Sequence, residues 1–392
     1  MTPQARVQAA IEVLDLIVAA ARARGAPADR ILSDWFRPRR FAGSKDRRAV
    51  RELVYRAIRA CGDIPASGRA AMLRLVADDP SLAVLFTGEG HAPGPIAPDE
   101  APAAAGIAPP WLEQRLADSG IDGDMARALL GRASLDLRVN TLKADRADLE
   151  LPVPGEVLLA PHALRLPPDT QVEQWPAYQQ GLIEVQDHGS QLTCLALAAQ
   201  PGETVVDLCA GAGGKTLALA AAMGGRGRLI ACDVDRTRLS RLAPRAERAG
   251  AHLIEERLMG PGRELEVLGD LSGQADAVLI DAPCSGTGTW RRNPEARWRL
   301  TEAELARLTA IQSRLLDLAA VLVRPGGRLV YVTCSLLDAE GADQIAAFLT
   351  RHADWRAEAP ALGAGTPRGQ GLRLDPLHDQ TDGFFVARLE SM

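Results

Sequence analysis

Three short runs of this 392-residue sequence set thiols and carboxylates among glycine, proline and serine, the surroundings in which such groups meet a ligand. They are Asp207-Leu208-Cys209-Ala210-Gly211-Ala212-Gly213-Gly214-Lys215-Thr216, Asp281-Ala282-Pro283-Cys284-Ser285-Gly286-Thr287-Gly288 and Thr333-Cys334-Ser335. A single cysteine at a strand end is by default a small buried hydrophobe. Cys284 and Cys334, each beside a serine and each just after an apolar run, point instead to reactive thiols. Six cysteines in all, none in C-x-x-C spacing, suit neither a disulfide framework nor a zinc site, so no metal is expected.

The first run reads as strand, glycine turn and helix: Thr204 to Val206 is β-branched, and Lys215 to Met223 carries an Ala/Leu face. Glycines let the backbone approach a ligand closely, and the free N–H groups of the following helix attract acceptors. A P-loop would need glycine where Cys209 stands, and a dinucleotide fingerprint would need a small residue at Thr216. The remaining pattern, acid-x-x-x-Gly-x-Gly from Asp207 to Gly213, resembles the cofactor turn of S-adenosylmethionine-dependent methyltransferases. Asp233 ends the next apolar run, where an acid can accept hydrogen bonds from ribose hydroxyls; its rival role is a helix cap. Asp281 has a Walker-B-like alternative that fails for want of a true P-loop.

Alternating elements must position these residues. Strands are predicted at Arg228–Cys232, His252–Arg257, Asp276–Ile280 and Arg328–Thr333, with helices at Arg236–Gly250 and Thr301–Val323. Such alternation predicts an α/β, parallel, doubly wound sheet whose ligands lie beyond the strand carboxyl ends. The start differs: Ala5–Ala23, Asp46–Cys61 and Ala70–Ala77 have helical spacing with no strand between them. The expected organisation is a helical domain at 1–86, a Gly/Pro/Ala-rich linker at 87–110, a small α+β connecting region at 111–180 and the doubly wound domain at 181–392.

Hydrophobic residues at 47% and charged residues at 24% describe a globular chain rather than a disordered one. The net charge of −5 argues against a uniformly basic nucleic-acid binder. Locally, though, twelve basic residues between Arg22 and Arg59 face only Asp29, Asp34, Asp46 and Glu52, a patch suited to phosphates. No signal-like start and no run of 18 apolar residues is present, which predicts a cytoplasmic protein away from membranes.

Together the three runs resemble the cofactor loop, the Asp-Ala-Pro-Cys loop and the Thr-Cys-Ser loop of RNA cytosine-5 methyltransferases of the Nol1/Nop2/Sun family. Leu137-Arg138-Val139-Asn140-Thr141-Leu142-Lys143, Val185-Gln186-Asp187-His188-Gly189-Ser190-Gln191 and Thr381-Asp382-Gly383-Phe384-Phe385 extend the likeness over essentially the whole chain. The helical front part, with Asp46-Arg47-Arg48 and Leu53-Val54-Tyr55-Arg56, is similar to the NusB-like domain of the bacterial Sun/RsmB branch. The resemblance implies a Rossmann-like methyltransferase sheet behind an all-helical NusB-like domain, S-adenosylmethionine as cofactor, 16S ribosomal RNA as partner and a monomer. Two departures stand out. Ala212 replaces the usual proline of the cofactor loop, and Gly341 follows Glu340 where the family has asparagine, which should weaken the helix start there.

Carried over by motif, Cys334 is the nucleophile, Cys284 assists product release, and Asp281 hydrogen-bonds the cytosine. Cys209, Ala210, Gly211, Ala212, Gly213, Gly214, Lys215, Asp233 and Asp281 surround the cofactor. Carbon 5 of cytosine becomes nucleophilic only after a thiolate adds to carbon 6, so the chemistry requires covalent catalysis. A free thiol has a pKa of about 8.5, so a cation or a helix N-terminus should lie near Cys334. An RNA-binding assembly factor with a vestigial catalytic fold is the alternative, and the intact Asp281, Cys284 and Cys334 count against it. Nucleotide hydrolysis by a degenerate P-loop is a third class, distinguishable by ATP turnover.

Overall fold

The computed structural model describes residues 1–392, which form two compact units. One comprises Met1–Arg132 with Thr289–Glu302, the other Ala133–Gly288 with Ala303–Met392. This division falls elsewhere than at 86, 110 and 180: the 111–132 helices join the helical unit, and a segment distant in sequence joins it too.

The helical unit contains helices Pro3–Arg22, Ala28–Phe36, Ser44–Ala60, Gly68–Asp78, Pro110–Asp118 and Gly123–Ala128. Thr2 caps the first by accepting from the Ala5 amide at 3.2 Å. Its apolar stripe, including Val7, Ile11, Leu14 and Ile17, is buried against the other helices. Gly68 allows a close helix crossing, because a Cβ there would sit 2.2 Å from the Ile11 carbonyl oxygen. The segment read as a linker is tied down, with Arg69 bound to Glu100 and the Ala103 amide donating to Ala70. Residues 289–302 cap two helices of this unit. Glu295 accepts from the Ala28 amide at 2.9 Å, and fully buried Arg297 donates to the Ile58 and Cys61 carbonyls at 2.7 and 2.6 Å. Burial lowers the Arg297 guanidinium to about 10.

The second unit opens with a small antiparallel sheet ordered β2-β3-β1-β4, from β1 Leu135–Val139, β2 Glu156–Val157, β3 Ala163–Leu166 and β4 Ile183–Val185. The main sheet contains β5 Thr204–Asp207, β6 Arg228–Asp233, β7 Ile254–Leu258, β8 Ala275–Asp281 and β9 Val323–Thr333, all parallel in the order β9-β8-β5-β6-β7. The central strands β5, β6 and β8 are near-continuous apolar runs because both faces are covered, whereas the edge strand β7, Ile-Glu-Glu-Arg-Leu, is half-exposed. Beyond β9 the sheet turns antiparallel through β10 Trp355–Glu358, β11 Thr366–Arg368, β12 Gly371–Leu374 and β13 Phe384–Ser391. The helix expected over Arg236–Gly250 is two helices, Arg236–Leu239 and Leu242–Ala249. Pro244 has no N–H for a continuous helix and fits only within the first turn of a new one.

Candidate active site

The turn after β5 is built by two glycines in the left-handed region, Gly211 at φ 55° and Gly213 at φ 87°. The helix Gly214–Ala222 follows, and no backbone carbonyl accepts from the amides of Gly214, Lys215 or Thr216. A side chain at Gly214 would meet nothing within 4 Å, so that edge of the turn is open. Ala210 and Lys215 are nearly buried, and burial pushes the Cys209 thiol well above its usual range, which makes it inert. Asp233, at the end of β6, accepts from the Gly211 amide and from the Asp235 amide, each at 2.7 Å. It therefore braces the glycine turn whatever else it binds.

Asp207 lies beneath the turn, fully buried. Its Oδ2 accepts from the Thr216 hydroxyl at 2.7 Å, while Oδ1 has no partner. Burial raises this carboxyl to about 7. Lys215 Nζ reaches Asp281 Oδ2, at the end of β8, at 2.8 Å and lies 5.5 Å from the centre of the Phe384 ring. Burial opposes the lysine charge, but the Asp281 carboxylate more than offsets this and holds the ammonium above its ordinary range. The same ammonium acts electrostatically on Cys334.

Cys284 Sγ and Cys334 Sγ are 3.3 Å apart, both partly exposed. The contact with Cys334, then burial, pushes the Cys284 thiol well above its usual range, and either sulfur can be the donor across the pair.

The two cysteine loops are fastened together by their own serines, by Glu340 and by Gln312, of which only Gln312 lies outside the motifs. Fully buried Glu340 accepts from the Ser285 amide at 2.9 Å and from the Ser285 hydroxyl. Gln312 donates to Glu340 at 3.0 Å and to the Pro283 carbonyl at 2.9 Å. Ser335 is within 3.1 Å of both the Ser285 and Thr287 hydroxyls, and the Gly288 amide donates to the Cys334 carbonyl at 2.9 Å. A Cβ on Gly288 would lie 2.1 Å from the Gly383 carbonyl oxygen, so the Thr381–Phe385 run acts as a backbone clamp. Gln312 had a visible signal, a polar residue within the Leu305, Leu308, Leu315, Leu316 stripe. Gly341 also has a reason: a Cβ there would come within 2.8 Å of the Phe385 ring, and the Ala342–Arg351 helix starts immediately after it.

A parallel sheet with a glycine turn over its central strand and acids at successive carboxyl ends defines a Rossmann-like methyltransferase domain. The model of one family, described as 16S rRNA methyltransferase RsmB/F, matches residues 194–390. The chain belongs to that family. It is 40% identical over 298 residues to ribosomal RNA small subunit methyltransferase B of Xylella fastidiosa strain 9a5c, covering 72% of this chain and 68% of that one. Over 264 residues it is 37% identical to the protein of the same name from Pectobacterium atrosepticum, covering 66% of this chain. There the match spans only 60% of the relative's length. Among solved structures, the crystal structure of PH0851 superposes with a TM-score of 0.77 at 27% identity, covering 100% of this chain and 99% of the other. A methyltransferase homolog protein from Pyrococcus horikoshii gives 0.60 at 26% identity, covering 72% of this chain and 100% of that one.

Proposed function

We propose that this protein transfers a methyl group from S-adenosylmethionine to carbon 5 of a cytosine in 16S ribosomal RNA, through a covalent adduct with Cys334. The observation that carries this reading is the pair of cysteine sulfurs 3.3 Å apart beside the Lys215–Asp281 ion pair. A methyl donor alone would need no thiol, and an assembly factor would need neither.

The turn fits the cofactor. Unused amides at Gly214, Lys215 and Thr216 suit its carboxylate or hydroxyl acceptors, and the open edge at Gly214 admits its backbone. Asp233 retains lone pairs for ribose hydroxyls, and the nearby carboxylates favour a sulfonium charge. When bound, the cofactor supplies an electrophilic methyl group.

The chain's own residues do the rest. Cys334 Sγ, as thiolate, adds to carbon 6 and forms the C–S bond, and the ring electrons make carbon 5 nucleophilic. Asp281 hydrogen-bonds the ring nitrogen and exocyclic amine as charge develops. Once carbon 5 is methylated, Cys284 assists loss of the carbon 5 proton, and the returning electrons expel Cys334 Sγ. A target base must be unstacked to enter, at a cost of a few kcal/mol. The helical unit's exposed arginines bind RNA phosphates. The deciding experiment is transfer of labelled methyl from S-adenosylmethionine to ribosomal RNA lacking this modification, with mapping of 5-methylcytosine. Label found elsewhere than on carbon 5 of cytosine would refute the assignment.

A further inference from the structure

Arg138 lies on β1 and is only 5% exposed. Its Nε donates to Gln186 at 2.7 Å, and no carboxylate pairs with it. A buried guanidinium without a counter-ion is costly, because desolvation of the charge goes uncompensated. Opposite it in the register is Glu184, but both Glu184 oxygens are already taken by Arg245 and Arg248. Two arginines thus occupy the one carboxylate near Arg138.

Arg138 lines a cavity of about 470 Å³ that has no acidic residue in its wall. Thr141 and His162 add polar atoms, while Leu195, Ala218 and Ala222 make apolar surface. Near His162, whose ring feels the charges of Arg146, Arg138 and the opposing Asp145, Arg146 Nη1 is buried with no partner. The cavity abuts the end of the Gly214–Ala222 helix remote from the glycine turn, about 12 Å away along the helix axis. None of Asp233, Asp281, Cys284 and Cys334 lines it, although Cys194 in its wall feels the Lys215 and Asp281 charges.

We propose that this cavity binds a phosphate group carried on a small apolar or aromatic body. The guanidinium fork presents donors in the geometry of a phosphate, and the cavity wall itself supplies no anion to pair with it. The volume exceeds what a bare phosphate needs and falls within the range of small-molecule sites. The alanine and leucine walls can cover a flat ring.

The test is calorimetric titration of the full chain, saturated with S-adenosylmethionine, with uridine 5′-monophosphate and separately with inorganic phosphate. Saturable binding is expected, weakened about tenfold or more in Arg138→Gln. Ala222→Leu narrows the cavity from an exposed position without touching Arg138, and it should weaken the nucleotide more than phosphate. Tighter binding of the nucleotide identifies a ligand with a ring; equal binding of both probes identifies a free anion, and either supports phosphate recognition here. Absence of saturable binding up to about 10 mM, or equal binding by wild type and a folded Arg138→Gln, overturns the proposal.

Discussion

Cys284 Sγ and Cys334 Sγ lie 3.3 Å apart, just beyond the ends of adjacent parallel strands. The two thiols touch although they come from different loops, so substitution at each is what separates their tasks. The proposed function gives the attack to Cys334 and help with product release to Cys284.

Cys334→Ala is expected to abolish methyl transfer and to trap no RNA, since no adduct can form. Cys284→Ala should form the adduct and resolve it slowly, leaving a protein–RNA species that survives denaturing electrophoresis. A trapped complex only in the Cys334 variant would mean the roles are exchanged. Normal turnover in both would eliminate the covalent route.

Glu340 holds the Ser285 amide, the Ser285 hydroxyl and Gln312 without exposure to solvent. Glu340→Ala leaves those donors buried and unpaired, so stability should fall by about 3 kcal/mol in denaturant unfolding. Misplacement of the Cys284 loop should lower kcat by about 10²-fold, with cofactor affinity kept. Glu340→Gln, which retains an acceptor, should recover part of both.

Asp233 accepts from the turn at Gly211 and sits where ribose hydroxyls are expected. Asp233→Ala should weaken S-adenosylmethionine binding by about 1–3 kcal/mol in calorimetry and leave RNA affinity unchanged. Unaltered cofactor affinity would reduce this acid to a brace for the turn.

Asp207 gives a pH signature. Its folded value is about 7, against an unfolded value of about 4, so between these limits the native state holds more protons than the unfolded state. Its contribution to stability is present below about pH 4 and is lost as pH rises towards 7. Asp207→Asn, melted without cofactor, should therefore gain stability relative to wild type across that window and level off above it. A difference independent of pH would show that the carboxyl is ionised throughout.

Lys45, Arg48 and Arg51 are exposed on the Ser44–Ala60 helix. Replacing all three with Ala should weaken RNA binding and reduce the slope of log K against log salt by roughly 2 to 3, at about 0.7 to 0.9 for each phosphate no longer neutralised. Cofactor binding should not change. An unaltered slope would place the RNA-binding surface elsewhere.

Much of the scaffold was legible in the linear sequence because its causes are local. β-Branched runs ending in acids announced the parallel strands, paired glycines announced the turn, and helical spacing announced most of the front helices. The two cysteines stood out by the company they keep. Sequence neighbours could not reveal pairings that close across tens or hundreds of residues. Lys215 finds Asp281 66 positions away, and Ser285 finds Glu340 55 positions away. Residues 289–302 leave the catalytic unit to cap helices more than 200 positions earlier, where Arg297 meets Ile58. That the two thiols touch, like which arginine is buried without an ion-pair partner, depends on packing and on charges brought near by the fold. Residue type and spacing set the candidates for chemistry here; desolvation and long-range packing assigned their roles.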